Sequence, residues 1–225
     1  MKNLILVGSY GSGKTQLAIN IAIDWQQRYK DDTIALIDLD VVNPYFRSRE
    51  MAEELEARGI IMVLPQKDFV LYEAPALPAA ISTKIKDKNF RTILDVGGDL
   101  AGSKVLGRYH QEFESTDSEA WMVINTYRPG TSSCGEIIQM IEDIEVASRI
   151  KIKGLINNTN LGLETTPEVI IEGYRIIEQV SKKTQLPIVM TTVHSKYFKE
   201  VKKLLKDDMV FTMNRYLQTP WNVEG

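Results

Sequence analysis

The chain has 225 residues, of which 44% are hydrophobic and 25% charged, and its formal net charge is −3 at pH 7. This composition is typical of a globular enzyme or switch, without the global basic bias of many nucleic-acid binders. One cysteine, Cys134, excludes an intrachain disulfide framework and fits a reducing compartment, and no apolar run approaches a membrane span. We therefore expect one cytoplasmic domain covering residues 1–225, with no indication of nucleic-acid or membrane binding.

The first element is the apolar run at residues 4–7, which leads directly into GSYGSGKT at residues 8–15. A phosphate chain needs several backbone N–H groups at close range, and a glycine backbone can wrap that tightly. Residues 16–29 follow with the apolar period of a helix, as the pattern G-x-x-x-x-G-K-[ST] requires. In this pattern Lys14 reaches the β and γ phosphate oxygens and the Thr15 hydroxyl binds Mg²⁺. The predicted nucleotide-binding residues are Gly8, Ser9, Tyr10, Gly11, Ser12, Gly13, Lys14, Thr15 and Gln16.

Two carboxylates, Asp38 and Asp40, follow the second apolar run at residues 34–37. Their spacing places both side chains on the same side of an extended chain. Hydrolysis of a γ-phosphate needs carboxylates for Mg²⁺ and an attacking water held in line, so one acid could serve the metal and one the water. A solvated strand end is the alternative. Residues 43–50, with aromatics and arginines, either contact a partner or phosphate or pack under the next helix.

The run at residues 92–94 ends in Asp95, followed by Val96, Gly97 and Gly98. This pattern predicts a carboxylate facing Mg²⁺ beside backbone that can approach a γ-phosphate and move when that phosphate leaves. A strand that ends in a tight turn would look the same.

Three asparagines, Asn157, Asn158 and Asn160, follow the run at residues 155–156. GTPases carry an acid in this loop to accept from guanine, whereas an amide offers both a donor and an acceptor and suits adenine. We therefore expect Asn157 and Asn158 to bind the base and ATP to be preferred over GTP, although asparagines also cluster in plain turns.

The apolar runs recur between helical patterns, as in an α/β protein with helices on both faces of a parallel sheet. Ser133 and Glu136 predict a helix with a capping box, and Thr166 followed by Pro167 predicts the start of another. We expect a three-layer α/β/α P-loop NTPase fold with a mostly parallel sheet of about seven strands. The predicted strands are at residues 4–7, 34–37, 60–64, 92–94, 121–124, 155–156 and 188–190.

With these motifs in order, most of the chain resembles the MinD/ParA/CobQ-type ATPases of the SIMIBI class of P-loop proteins. The resemblance is sharpest in the loop and in the strand that ends in Asp38 and Asp40. It implies that Lys14 holds phosphate, that Asp40 positions the hydrolytic water, and that Asp38 and Asp95 complete the Mg²⁺ shell with Thr15. It also implies that Asn157 or Asn158 meets adenine.

Ser9 departs from the family pattern, because many members have a lysine there that reaches the partner's nucleotide across a dimer interface. A homodimer is still expected, with its dependence on ATP open. The leading hypothesis is a slow, Mg²⁺-dependent ATPase that acts as a nucleotide switch and has an unidentified protein partner. The alternatives are an ATP-dependent kinase or amide-forming ligase with a small-molecule acceptor, and a module that binds ATP or ADP without turnover.

Overall fold

The computed structural model describes residues 1–40, 51–64, 79–98, 100–205 and 209–217; the predicted switch loop at residues 43–50 lies outside this part of the chain. Its eight strands are β1 Asn3–Val7, β2 Thr33–Leu39, β3 Ile61–Val63, β4 Phe90–Val96, β5 Ser118–Ile124, β6 Ile152–Asn157, β7 Ile188–His194 and β8 Val210–Met213. All seven predicted strands are confirmed, and β8 is an additional strand that the sequence analysis missed.

Two of the helices that connect the strands begin at caps that the sequence predicts. Ser133 and Glu136 form the predicted capping box, and Thr166 accepts a hydrogen bond from the Val169 N–H just before Pro167. The helices are α1 Lys14–Arg28, α2 Ala52–Ala57, α3 Ala79–Lys86, α4 Leu100–Leu106, α5 His110–Glu114, α6 Cys134–Ser148, α7 Pro167–Thr184 and α8 Phe198–Leu205.

The strands form one sheet in the order β3-β2-β4-β1-β5-β6-β7-β8, and every adjacent pair is parallel. Strand β1 is buried on both faces because its side chains alternate between two cores. Leu4 and Leu6 pack in the core that contains α1 and α2, whereas Ile5 and Val7 pack in the core that contains α3, α5, α6 and α7. The three-layer α/β/α fold is thus confirmed, with eight strands where about seven were expected.

The parallel arrangement brings the carboxyl ends of the strands to one edge of the sheet, where ligands bind in open α/β folds. Among the described residues, no helix is both long enough and apolar enough to cross a lipid bilayer.

Candidate functional site

The GSYGSGKT loop connects β1 to α1, and its glycines at positions 8, 11 and 13 all have positive φ values. Gly8 and Gly13 have φ values of 141° and 88°, which L side chains rarely adopt. A Cβ atom would also lie 2.3 Å from the Val123 carbonyl oxygen at Gly8 and 2.4 Å from the Asn158 amide nitrogen at Gly13. Both glycines are therefore needed for the backbone angle and for the space around it.

Lys14 bonds to the loop that precedes it. Its Nζ donates to the carbonyl oxygens of Gly8 and Ser9, at 3.0 and 2.9 Å. In a trans peptide the C=O and the following N–H point in opposite directions. The Ser9 and Tyr10 amides therefore point away from the two carbonyl oxygens that Lys14 binds.

Arg128, in the turn after β5, donates from Nε to the carbonyl oxygen of Gly11 at 3.1 Å. The turn that carries it is held by Thr131, whose hydroxyl donates to the carbonyl oxygens of Asn125 and Arg128 at 2.8 and 3.1 Å. The sequence analysis did not list Arg128 as a site residue. Its position directly after an apolar strand was the signal that could have found it.

The acids near the carboxyl ends of β2 and β4 lie side by side, because the register of these strands pairs Asp38 with Asp95. Asp38 accepts a hydrogen bond from the Asp40 N–H at 2.9 Å, which orients the two predicted acids of the D-x-D stretch relative to each other. Asp95 is 3% exposed and lies beside the Thr15 hydroxyl. The structure therefore brings Thr15, Asp38, Asp40 and Asp95 together at the foot of the loop.

Burial raises the pKa of the Asp95 carboxyl to about 7. The charges of Asp38 and Asp40 add to the rise, while the Thr15 hydrogen bond and the Lys14 charge oppose it. A cation beside Asp95 would reverse this balance by favouring the ionised carboxylate.

The segment after Asp95 lies against the phosphate loop. A Cβ atom on Gly98 would be 2.6 Å from the Tyr10 Cα and 3.1 Å from the Lys14 Nζ, and one on Gly97 would be 3.2 Å from an Asp40 carboxylate oxygen. The backbone at Gly98 therefore approaches the loop more closely than any residue with a side chain could. We call Gly97 and Gly98 the glycine segment.

Buried polar atoms without a hydrogen-bond partner are concentrated at this site. Among the described residues there are four such side-chain atoms, and three belong to it: Ser9 Oγ, Ser12 Oγ and Asp95 Oδ1. Such groups are costly unless a ligand or ion satisfies them. Hydroxyl and carboxylate oxygens are also the ligands that Mg²⁺ takes. The residues present thus fit a magnesium-bound phosphate chain.

The described residues contain no cluster of three or more His, Cys, Asp or Glu side chains that could hold a metal without help.

The predicted base-binding asparagines are buried and bond to the protein. Asn157 donates from its side chain to the Ile170 carbonyl oxygen at 3.0 Å and accepts from the Thr159 N–H at 3.2 Å. Asn158 donates to the Ser12 carbonyl oxygen at 2.6 Å and accepts from the Thr192 hydroxyl. Their predicted contact with a base stays a prediction, and in this conformation their amides serve other partners.

Gln16 connects the start of α1 to the segment after β8. Its side chain donates to the Asn214 carbonyl oxygen at 2.7 Å and accepts from the Leu217 N–H at 3.0 Å. One turn later, Asn20 donates to the same carbonyl at 3.0 Å and accepts from the Asn214 N–H at 2.8 Å. We call these four contacts the α1 clamp. The sequence contains no signal for it, because both partners lie in polar stretches far apart in the chain.

No protein-family model and no curated protein sequence matches this chain. Solved structures do match it. The cell division protein FtsY of Thermotoga maritima superposes with a TM-score of 0.53 at 17% identity, covering 85% of this chain and 61% of that one. Chloroplast FtsY of Physcomitrella patens gives 0.55 at 16% identity, covering 84% and 57%. A structure of FlhF complexed with GTP and Mg²⁺ gives 0.50 at 15% identity, covering 77% and 60%.

The chain has a P-loop NTPase fold. At these identities the likeness establishes the fold alone, and the chain spans about three fifths of the length of the structures it matches. The SIMIBI class that the sequence resembles stays a prediction. The finer MinD/ParA/CobQ assignment stays a prediction.

Proposed function

We propose that this protein is a Mg²⁺-dependent ATPase that hydrolyses ATP slowly and acts as a nucleotide switch. The observation that carries the proposal is the buried Asp95 carboxylate, which lies beside the Thr15 hydroxyl and has one oxygen, Oδ1, without a hydrogen-bond partner. An acid buried in this way, at the foot of a phosphate-binding loop, is poised for a cation that arrives with the phosphates.

The residues of the chain divide the work by position. Thr15 and Asp95 would hold the magnesium ion, with Asp38 beside them, and Lys14 would meet the phosphate oxygens. When bound, the ion neutralises charge on the phosphates. Asp40 is our candidate to orient the attacking water, and its backbone bond to Asp38 limits how far it can move.

The glycine segment is the candidate for the moving part of the switch. Its backbone packs on Tyr10 and lies beside Lys14, so anything that shifts the phosphate loop must also shift this segment. A bound γ-phosphate would therefore favour one arrangement of the phosphate loop and the glycine segment, and its loss would favour another.

The choice of base rests on the residues that follow the apolar part of β6. Residues 157–160, at the end of β6 and just after it, have amides at 157, 158 and 160 and no acid to accept from guanine, which favours adenine. The FlhF structure contains GTP and Mg²⁺, and this favours guanine as the second candidate.

Competition for a fluorescent nucleotide analogue, with and without Mg²⁺, tests the proposal. ATP should displace the analogue better than GTP, and Mg²⁺ should strengthen both. Stronger displacement by GTP would overturn the choice of base. If neither ATP nor GTP bound, the proposed function would be overturned.

Steady-state phosphate release distinguishes the switch from the other hypotheses. A switch gives slow turnover that needs no acceptor, a kinase or ligase needs its acceptor, and a binding module gives none. Light scattering with and without ATP tests the expected homodimer. A doubling of the measured mass when ATP is added would support the switch.

A further inference from the structure

Asn158 connects three elements at the edge of the sheet. Its backbone N–H donates to the Ile124 carbonyl oxygen at the end of β5, at 2.8 Å. Its side-chain nitrogen donates to the Ser12 carbonyl oxygen in the phosphate loop, at 2.6 Å, and its side-chain oxygen accepts from the Thr192 hydroxyl on β7. Asn158 and Thr192 are only 4% and 5% exposed, so these bonds form away from competing water.

The Ser12 carbonyl and the Thr192 hydroxyl together determine which way the Asn158 amide faces. An amide can rotate so that its nitrogen and oxygen exchange places, and only hydrogen-bond partners decide between the two orientations. The Ser12 carbonyl can only accept, so it needs the nitrogen, and Thr192 then donates to the oxygen on the other side. Loss of the Thr192 hydroxyl would leave the amide held on one side only.

The bond to Ser12 acts on the next amide in the loop. The Ser12 carbonyl and the Gly13 N–H belong to one planar trans peptide and point in opposite directions. Holding the carbonyl on Asn158 therefore aims the Gly13 N–H at the other side of the loop, where the predicted phosphates lie. The Asn158 nitrogen would be 2.4 Å from a Cβ on Gly13, so the amide also packs directly on this peptide.

We propose that Asn158, oriented by Thr192, is a positioning residue for the phosphate site that aims the Gly13 amide at the bound polyphosphate. This inference rests on the proposed function. It differs from the base contact predicted from the sequence, because it assigns the side chain of Asn158 to the phosphate half of the ligand.

Inorganic tripolyphosphate separates the two roles, because it has phosphates but no base. Titration calorimetry would measure the affinity of the full chain for Mg·ATP and for Mg·tripolyphosphate. Asn158→Ala should weaken both by the same factor, roughly 10-fold or more, since one hydrogen bond to a charged group is lost or misaligned. Thr192→Val should weaken both equally but less.

Thr191→Val is the matched control. Thr191 precedes Thr192 on β7, is fully buried, and its hydroxyl has no hydrogen-bond partner. This variant should leave both affinities unchanged. Melting curves would show that each variant is folded at the temperature of the titrations, and Thr192→Val keeps the test decisive if Asn158→Ala does not fold.

Weaker ATP binding with unchanged tripolyphosphate binding in Asn158→Ala would overturn the proposal and restore the base contact. Unchanged affinity for both ligands, in either Asn158→Ala or Thr192→Val, would also overturn it. Failure of the wild-type protein to bind either ligand would instead overturn the proposed function.

Discussion

Gly98→Ala tests whether the glycine segment must touch the phosphate loop for catalysis. The added Cβ would lie 2.6 Å from the Tyr10 Cα and 2.7 Å from its nitrogen, where 3.4 Å is the start of ordinary van der Waals contact. The segment and the loop must therefore separate by about 0.8 Å. The φ angle of Gly98 is outside the left-handed region, so the effect is one of space and not of backbone strain.

Two magnitudes follow from this displacement. Overpacking of this kind costs about 1–3 kcal/mol of the free energy of unfolding, which a domain with typical stability tolerates. A misplacement of about 1 Å near reacting groups can lower turnover about 100-fold. We therefore expect a folded variant that binds ADP like the wild type, because the loop is intact, but hydrolyses ATP about 100-fold more slowly.

The assay is phosphate release under saturating Mg·ATP, together with ADP titration and urea unfolding. Gly135→Ala is the matched control, because Gly135 is in α6 and a Cβ there would meet nothing within 4 Å. It should keep full activity and gain up to about 1 kcal/mol of stability from helix propensity. Wild-type turnover in Gly98→Ala would refute the reasoning, since the clash would then be absorbed without consequence for the chemistry.

Three further substitutions test individual side chains. Lys14→Ala should abolish useful ATP binding in calorimetry while the circular dichroism spectrum is unchanged, and retained affinity would count against the phosphate site. Asp40→Ala should still bind Mg·ATP but lose most turnover, because its proposed role is to orient water; full hydrolysis would defeat that role. Asp95 has a pKa of about 7 in the folded chain and of about 3.9 when unfolded, so the folded state binds the proton more tightly. Its contribution to stability therefore falls as the pH rises from about 4 to 7 and is constant above that range. Asp95→Asn should remove this fall in urea unfolding at pH 5 and 8, and an identical pH dependence in both proteins would contradict the assignment.

The sequence predicted most strands because a parallel sheet covered on both faces produces short, continuous apolar runs. It missed β8, whose four residues are all only half-buried at the edge of the sheet and follow a basic helix. A strand at the edge of a sheet has only one neighbouring strand and buries less apolar surface, so its run of apolar residues is shorter and harder to recognise in the sequence.

The same contrast holds at the site. The loop glycines and Lys14 were predictable because the loop's backbone permits few residue types. The contacts of Asn158 could not be predicted. An amide side chain can bond to the edge of a base, and it can bond equally well to a protein carbonyl on one side and a hydroxyl on the other. Thr192 gave no signal at all, since threonine is an ordinary residue in a strand.

The α1 clamp bears on the order in which the chain folds. Gln16 and Asn214 are 198 positions apart, so this contact cannot form until nearly the whole chain has left the ribosome. Contacts between residues so far apart are slow to form, because a long loop must close before any of them stabilises the fold. A nascent chain could thus shape its phosphate loop early, yet Gln16 and Asn20 in the first two turns of α1 would form their hydrogen bonds to this segment only when residues 214–217 arrive.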